Sequence, residues 1–365
     1  MLHATSYTTY FSAVHQTPDR KRVPRWHGHN YTLRLCIRGE LGPAGVLAPQ
    51  RLLELSMEEA IGPFNGADLT TTKSTSLVSL ARGIQRRLAP GSLAGAALTR
   101  LDLSHPAGAV VLESDLTLYR HGGAFSAAHR THAPRLSDSE NQALYGICDN
   151  PAGHGHNYRA SIWHRSPDAA PPSLWAEFDH RNLSVDIPDL RGRNVVTEAI
   201  AALLAQRVPG ATRARVWETD DFFADYLPPA DAYRLGRRYH FSAAHRLGQG
   251  LDEIDSRLLY GMCGRPGIHG HDFGVLIIVT GELNERTEAA FDLGRLDRLA
   301  AARLAHLQLA NLSAGRPDLA GAATPDRIAH YLFGQLLPDL GPALCAVGIS
   351  ALPGQWSWTA KGTHE

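Results

Sequence analysis

What this chain lacks already narrows what it can be. Lys and Arg together number 36, as do Asp and Glu, so across 365 residues no excess of either charge points to a nucleic acid or a membrane surface. No apolar run approaches a membrane span, and the opening Met1-Leu2-His3-Ala4-Thr5-Ser6 has no basic stretch leading into an apolar core. The expectation is a cytoplasmic protein without a membrane partner. Four cysteines, Cys36, Cys148, Cys263 and Cys345, are too few and too unevenly placed for a disulfide scaffold. Cys36 and Cys345 lie in apolar runs and read as small buried hydrophobes. A Gly-x-Gly-x-x-Gly fingerprint is also missing, so no nicotinamide cofactor is expected.

What the chain has instead is histidine, and it has it in a pattern. Nine of its 19 histidines fall into three equivalent sets. Phe11-Ser12-Ala13-Val14-His15, Phe125-Ser126-Ala127-Ala128-His129 and Phe241-Ser242-Ala243-Ala244-His245 are each followed by a His-Gly-His: His27-Gly28-His29, His154-Gly155-His156 and His269-Gly270-His271. On a strand the period of two turns both imidazoles of His-x-His to one face. A third His from a paired strand completes a three-nitrogen set with an open fourth position, the arrangement a catalytic zinc needs.

The first histidines of the sets are 114 and 116 residues apart, about one small domain each. Three units follow, 1–115, 116–230 and 231–365. In the middle unit a strand ending at His129 pairs with Asn157 to Trp163 across a long polar loop. Pro171-Pro172-Ser173 opens a short helical segment from Trp175 to Leu183. Asn194 to Arg207 is a helix, and Ala214–Glu218 and Phe222–Tyr226 are strands, giving the order ββααββ. The first unit repeats this with a strand over Tyr31–Ile37, helices over Gln50–Ile61 and Thr75–Leu88, and strands over Ala97–Leu103 and Ala109–Glu113. The third has a strand over Val275–Thr280, helices over Glu288–Leu309 and Pro325–Leu337, and strands over Ala343–Leu352 and Trp356–Ala360. The joints near Asp115 and between Pro228 and Leu235 are too short for flexible tethering.

The stretch Leu144-Tyr145-Gly146-Ile147-Cys148-Asp149-Asn150-Pro151-Ala152-Gly153-His154-Gly155-His156-Asn157-Tyr158 resembles the 6-pyruvoyl-tetrahydropterin synthase family, which includes the 6-carboxytetrahydropterin synthases. Phe-Ser-Ala-Ala-His upstream, then Cys-x5-His-Gly-His, Asp179-His180-Arg181-Asn182-Leu183 and Glu218-Thr219 arrive in family order. The resemblance implies an α+β tunnelling fold, with three ββααββ units closed into a twelve-stranded barrel and two barrels stacked head to head. One chain is then a covalent pseudo-trimer and two chains a homodimer.

In the middle repeat the resemblance assigns His129, His154 and His156 to zinc and Cys148 to the catalytic thiol. Asp179 and His180 become its activating dyad, Glu218 the pterin anchor, and Thr197 and Glu198 further substrate contacts. His15, His27 and His29, and His245, His269 and His271, are the matching metal sets of the outer repeats. Both outer repeats depart from the pattern. The first has no Cys between His15 and His27, has Phe64-Asn65-Gly66 where Leu-Asp-His is expected, and places Ser104 near the Glu218 position, with Glu113 one strand later. The third keeps Cys263 but has Gln308-Leu309 for the dyad, Ala351 near the Glu218 position and Asp326 in place of Glu198. Both are expected to be degenerate scaffolding repeats.

The implied reaction is a zinc-assisted lyase step on 7,8-dihydroneopterin triphosphate, with loss of triphosphate. Cys-x5-His-Gly-His is nearer the pyruvoyl-forming branch than the Cys-x3-His-Gly-His of many carboxy-forming members. Formation of 6-carboxytetrahydropterin, on the way to deazapurines such as queuosine, needs the same zinc and base. A pterin-binding or structural subunit without turnover is the reading of a different class. In the family a neighbouring subunit supplies the dyad, and the only dyad here belongs to the middle repeat. A two-fold homodimer in which each chain gives Asp179 and His180 to its mate is therefore expected.

Overall fold

Twelve strands close into one antiparallel barrel in this computed structural model, which describes residues 1–18, 24–71, 76–88, 93–106, 108–167, 173–314, 319 and 322–362. The first repeat has β1 (Leu2–Pro18), β2 (Pro24–Gly39), α1 (Gln50–Ile61), α2 (Leu77–Arg87), β3 (Ala97–His105) and β4 (Gly108–Glu113). The middle repeat runs β5 (Leu116–His129), α3 (Asp138–Tyr145), β6 (His154–His164), β7 (Arg181–Asn182), α4 (Leu183–Asp186), α5 (Thr197–Gln206), β8 (Ala211–Thr219) and β9 (Phe222–Leu227). The third contains β10 (Ala232–His245), α6 (Glu253–Tyr260), β11 (His269–Gly281), α7 (Leu293–Leu304), α8 (Pro325–Leu340), β12 (Leu344–Ser350) and β13 (Gln355–Ala360).

The order around the barrel is β4-β3-β2-β1-β13-β12-β11-β10-β9-β8-β6-β5, and β4 pairs with β5 to close it. Two repeat junctions are ladders of consecutive strands: β4 pairs with β5 and β9 with β10. The third joins the two ends of the chain, with Leu2 opposite Ala360. Closure leaves these twelve strands no free edge, which removes the aggregation hazard of unpaired backbone. The two-residue β7 is an addition, running parallel to β5 at Ala127 and Ala128.

Alternation along each strand sorts the residues. On β2, Leu33, Leu35 and Ile37 face outward and pack with Leu53 and Met57 of α1 and Leu80 and Ile84 of α2. Ile200, Leu203 and Leu204 of α5 do the same for the middle repeat, and Leu296, Ile328 and Leu332 for the third. Each such side chain contributes about 1.5–3 kcal/mol by leaving water, so burial is what fixes the helices to the barrel wall. The opposite faces line a lumen of about 250 Å³, where Asp225 accepts from Arg213 at 2.8 Å and Arg215 at 2.6 Å. Cys36 and Cys345 are buried as expected. Among the described residues no helix is long and apolar enough to cross a membrane.

Several expected elements move. Trp175–Leu183 is a 3₁₀ turn over Leu174–Glu177 followed by β7, because Asp179 and His180 are held in a turn against β5; Pro171 and Pro172 lie outside the described residues. The helix expected over Glu288–Leu309 is only α7. Asp292 caps its start through its side chain, and Glu288 and Leu309 have φ of 53° and 58°, which no α-helix accommodates. In the first repeat Thr75 also lies outside the described residues, and the helix starts after the Ser76 cap. The polar loop of the middle repeat hides α3, which opens with a Ser137–Glu140 capping box.

Candidate active site

Strand register builds the histidine triad. In the β5–β6 ladder His129 lies opposite His154, and Ala127 opposite His156, so three rings meet at one strand end. Their centroids are 4.4, 4.9 and 5.3 Å apart. The Nδ1–H of His129 donates to the Val195 carbonyl at 2.7 Å, which leaves Nε2 as a lone pair facing the centre. That atom, both ring nitrogens of His154 and Nε2 of His156 are buried without a hydrogen-bond partner. Burial also holds His129 and His154 below the ordinary imidazole pKa, in the neutral form that binds metal.

The third repeat copies this arrangement. His245 lies opposite His269 and donates from Nδ1 to the Ala323 carbonyl at 2.8 Å, while its Nε2 is 3.0 Å from Nε2 of His269. In the first repeat the Nε2 atoms of His15 and His27 approach to 2.6 Å. Two imidazole nitrogens this close need a proton or a cation between them.

Cys148 sits in the 3₁₀ turn Gly146–Asp149 that ends α3. It opens on a cavity of about 770 Å³ shared with Thr197, Glu198 and Glu218. Glu218 is the residue left unpaired at a bulge in the β8–β9 ladder, where Trp217 faces Phe223 but Thr219 faces Phe222. Such a bulge re-aims one side chain. Here it sends Oε1 to 3.4 Å from Nε2 of His156, while Oε2 accepts from the Thr197 hydroxyl. Glu218 thus links the triad to the cavity. Burial, reinforced by the Glu218 charge, pushes the Cys148 thiol up. Glu198 is fully enclosed and burial raises it to about 7.

The far wall of the cavity belongs to the third repeat and was not foreseen. Leu283, Asn284, Thr287, Ala290 and Arg295 face Cys148 and Glu218 across it. Asn194 clamps the wall by donating to the Tyr145 hydroxyl at 2.9 Å and to the Thr287 carbonyl at 2.7 Å. Only barrel closure brings residues about 90 positions apart into this contact, so no local pattern announced it.

Asp179 and His180 stand elsewhere. Asp179 accepts from the Ser126 N–H at 2.8 Å and pairs with His180 Nδ1 at 2.8 Å; the Ser126 bond and then the imidazole hold its carboxyl below the usual range. The dyad does not line the Cys148 cavity. His180 is 83% exposed and borders a shallow surface hollow with His156 and Asn157. The same turn recurs without its chemistry: Asn65 and Gly66 bond to Ser12, and Gln308 and Leu309 to Ser242, in the same manner.

The outer repeats settle two further positions. Trp217 faces Arg159 as Ser104 faces Thr32, so the residue matching Glu218 is His105, one beyond the expected Ser104. His105 stacks on His29 with centroids 4.2 Å apart, whereas Glu113 lies opposite Arg100 farther along the strand. In the third repeat Ala351 follows Ser350 at the matching register, and Asp326 is buried at the start of α8, raised by burial to about 6.

The family model described as 6-pyruvoyl tetrahydropterin synthase matches residues 118–229 and 234–361. The 6-pyruvoyl tetrahydrobiopterin synthase of Poecilia reticulata is 33% identical over 118 residues, 27% of this chain and 80% of that protein. That of Homo sapiens is 31% identical over 124 residues, 28% of this chain and 86% of that protein. The solved 6-pyruvoyl tetrahydropterin synthase of Caenorhabditis elegans is 26% identical, with a TM-score of 0.27, over 30% of this chain and 94% of that one.

Proposed function

The chain belongs to the 6-pyruvoyl tetrahydropterin synthase family, and from that premise we propose that its middle repeat is a working pterin synthase site acting on 7,8-dihydroneopterin triphosphate. The observation that carries this reading is convergence: Cys148, Thr197, Glu198 and Glu218 share one cavity of about 770 Å³, and Glu218 lies within 4.8 Å of the ligand atoms of His129, His154 and His156.

The partnerless Nε2 atoms and the Val195-oriented tautomer of His129 fit a metal ion. His129, His154 and His156 would hold zinc, which when bound polarises oxygens of the substrate side chain and so acidifies the neighbouring C–H bond. Glu218, steadied by Thr197, accepts N–H groups of the pterin ring at the cavity floor. Glu198 keeps its proton to about pH 7, which spares the floor two adjacent negative charges. Cys148 takes the C–H proton. Its thiol is otherwise held up by burial and by Glu218, so the thiolate that accepts this proton depends on cationic neighbours to form. His180, oriented by Asp179, serves as the proton-transfer partner of that thiol.

The dyad serves a second copy of the chain. Its exposure and its absence from the lining of its own cavity favour delivery across a two-fold axis. Incubation of the zinc-loaded protein with 7,8-dihydroneopterin triphosphate, followed by mass spectrometry, tests the whole reading. Free triphosphate with a 6-pyruvoyl product supports it, a 6-carboxy product reassigns the branch, and intact bound substrate overturns turnover in favour of a binding subunit.

A further inference from the structure

Cys148 and Cys263 occupy the same place in their repeats, yet their surroundings differ. Each is the third residue of a 3₁₀ turn, Gly146–Asp149 or Gly261–Gly264, and each stands six positions before the first His of its His-Gly-His. In the middle repeat the fourth atom grouped with the triad nitrogens is a carboxylate oxygen of Glu218. In the third it is Sγ of Cys263, with all four ligand atoms within 4.8 Å of one another and Sγ 3.4 Å from Nε2 of His271. Ala351 at the Glu218 position supplies no competing donor.

Space follows the same division. The cavity beside Cys263 holds about 50 Å³ against about 770 Å³ beside Cys148. That narrower cavity offers a pterin no carboxylate matching Glu218 to anchor it and no dyad in the matching turn. What remains is a compact set of three imidazoles and one thiol, with His245, Cys263 and His269 each less than 9% exposed.

We propose that the third repeat holds a divalent zinc-class ion in a closed four-donor site made by His245, His269, His271 and Cys263, and that this site is structural rather than catalytic. Four Cys and His donors around one ion close its tetrahedral coordination as in structural zinc sites, whereas a catalytic site keeps a position open. As the ion binds, the Cys263 thiol releases its proton to solvent and becomes the fourth ligand. The Nδ1–H bond of His245 to the Ala323 carbonyl already fixes the ring orientation this needs. The site ties the ends of β10 and β11 to the turn after α6. The last residue of that helix, Tyr260, donates to the Ala44 carbonyl of the first repeat at 3.1 Å, so the ion would brace the junction of the first and third repeats. The inference rests on the metal reading of the triads and not on pterin chemistry.

Cobalt(II) alone is the probe. Metal-stripped wild type, Cys148→Ser and Cys263→Ser would each be loaded with Co(II) and followed by near-ultraviolet absorption, where thiolate-to-cobalt charge transfer appears. The band should be present in wild type and Cys148→Ser and lost in Cys263→Ser. A band that survives Cys263→Ser, or no band at all while the imidazole sites fill, overturns the proposal. Should Cys263→Ser fail to fold, zinc-edge X-ray absorption of Cys148→Ser decides: sulfur scattering at about 2.3 Å supports the site and its absence refutes it. Neither readout involves turnover, so an inactive protein with the band intact would sink the synthase reading alone, and an active protein without the band would sink this one alone.

Discussion

Glu198 Oε1 in the middle repeat accepts a hydrogen bond from the backbone N–H of Ala290 in the third, at 3.0 Å, and so joins two repeats at the floor of one cavity. Its carboxyl, raised by burial to about 7 from 4.5, keeps its proton in the folded protein over a range in which the unfolded chain releases it. The folded state therefore binds more protons between about pH 4.5 and 7, and the Glu198 contribution makes stability fall as pH rises through that window. Glu198→Gln mimics the protonated form. It should match wild type near pH 4 and exceed it at pH 8 by roughly 3 kcal/mol, on the scale of 1.36 kcal/mol per pKa unit. Urea unfolding of both proteins at the two pH values checks this; equal stabilities at pH 8 would remove the buried-acid argument.

Cys148→Ala should lower turnover on the order of a hundredfold or more, the scale for losing a general base. Cys263→Ala should act differently, lowering the melting temperature of zinc-loaded protein without a matching fall in kcat. Parallel kinetic and thermal measurements separate the two cysteines, and equal kcat losses would place chemistry in the third repeat.

Mixing two inactive variants tests the shared site. Cys148→Ala retains a dyad, and His180→Ala retains a thiol. Under subunit exchange, heterodimers should recover part of the wild-type activity, because one of their two sites pairs an intact Cys148 with an intact His180. If heterodimers form and stay inactive, the dyad works on its own chain.

Asn194 is fully buried, and its side-chain amide holds both Tyr145 and Thr287 while its backbone N–H reaches Glu288 at 2.8 Å. Asn194→Ala leaves the Thr287 carbonyl without this donor and should cost about 2 kcal/mol, within the range for a buried polar group that loses its partner. Since the same contacts hold the wall of the cavity, KM should rise more than kcat falls. Denaturant unfolding together with steady-state kinetics reads both effects, and a change in kcat alone would contradict a wall role.

The amino-acid sequence by itself determined whatever rests on local spacing. His-Gly-His on a strand must turn two rings to one face, and three copies at domain-sized intervals imply three like units, so the triads and the ββααββ order were legible. Asn65-Gly66 and Gln308-Leu309 could likewise be matched to Asp179-His180, because the turn they occupy is local and closes onto the preceding strand in every repeat. Where a long-range pairing sets the answer, the sequence fell silent. A one-residue offset puts His105 rather than Ser104 beside His29, and the bulge that aims Glu218 exists only in the β8–β9 ladder. The closest case is the pair Cys148 and Cys263, identical in spacing and in local turn. One faces a broad cavity and the other a histidine triad, because Glu218 in β8 or Ala351 just past β12 arrives some 70 to 90 residues later, and side-chain volume and charge at that meeting point are properties of the closed barrel, not of either segment.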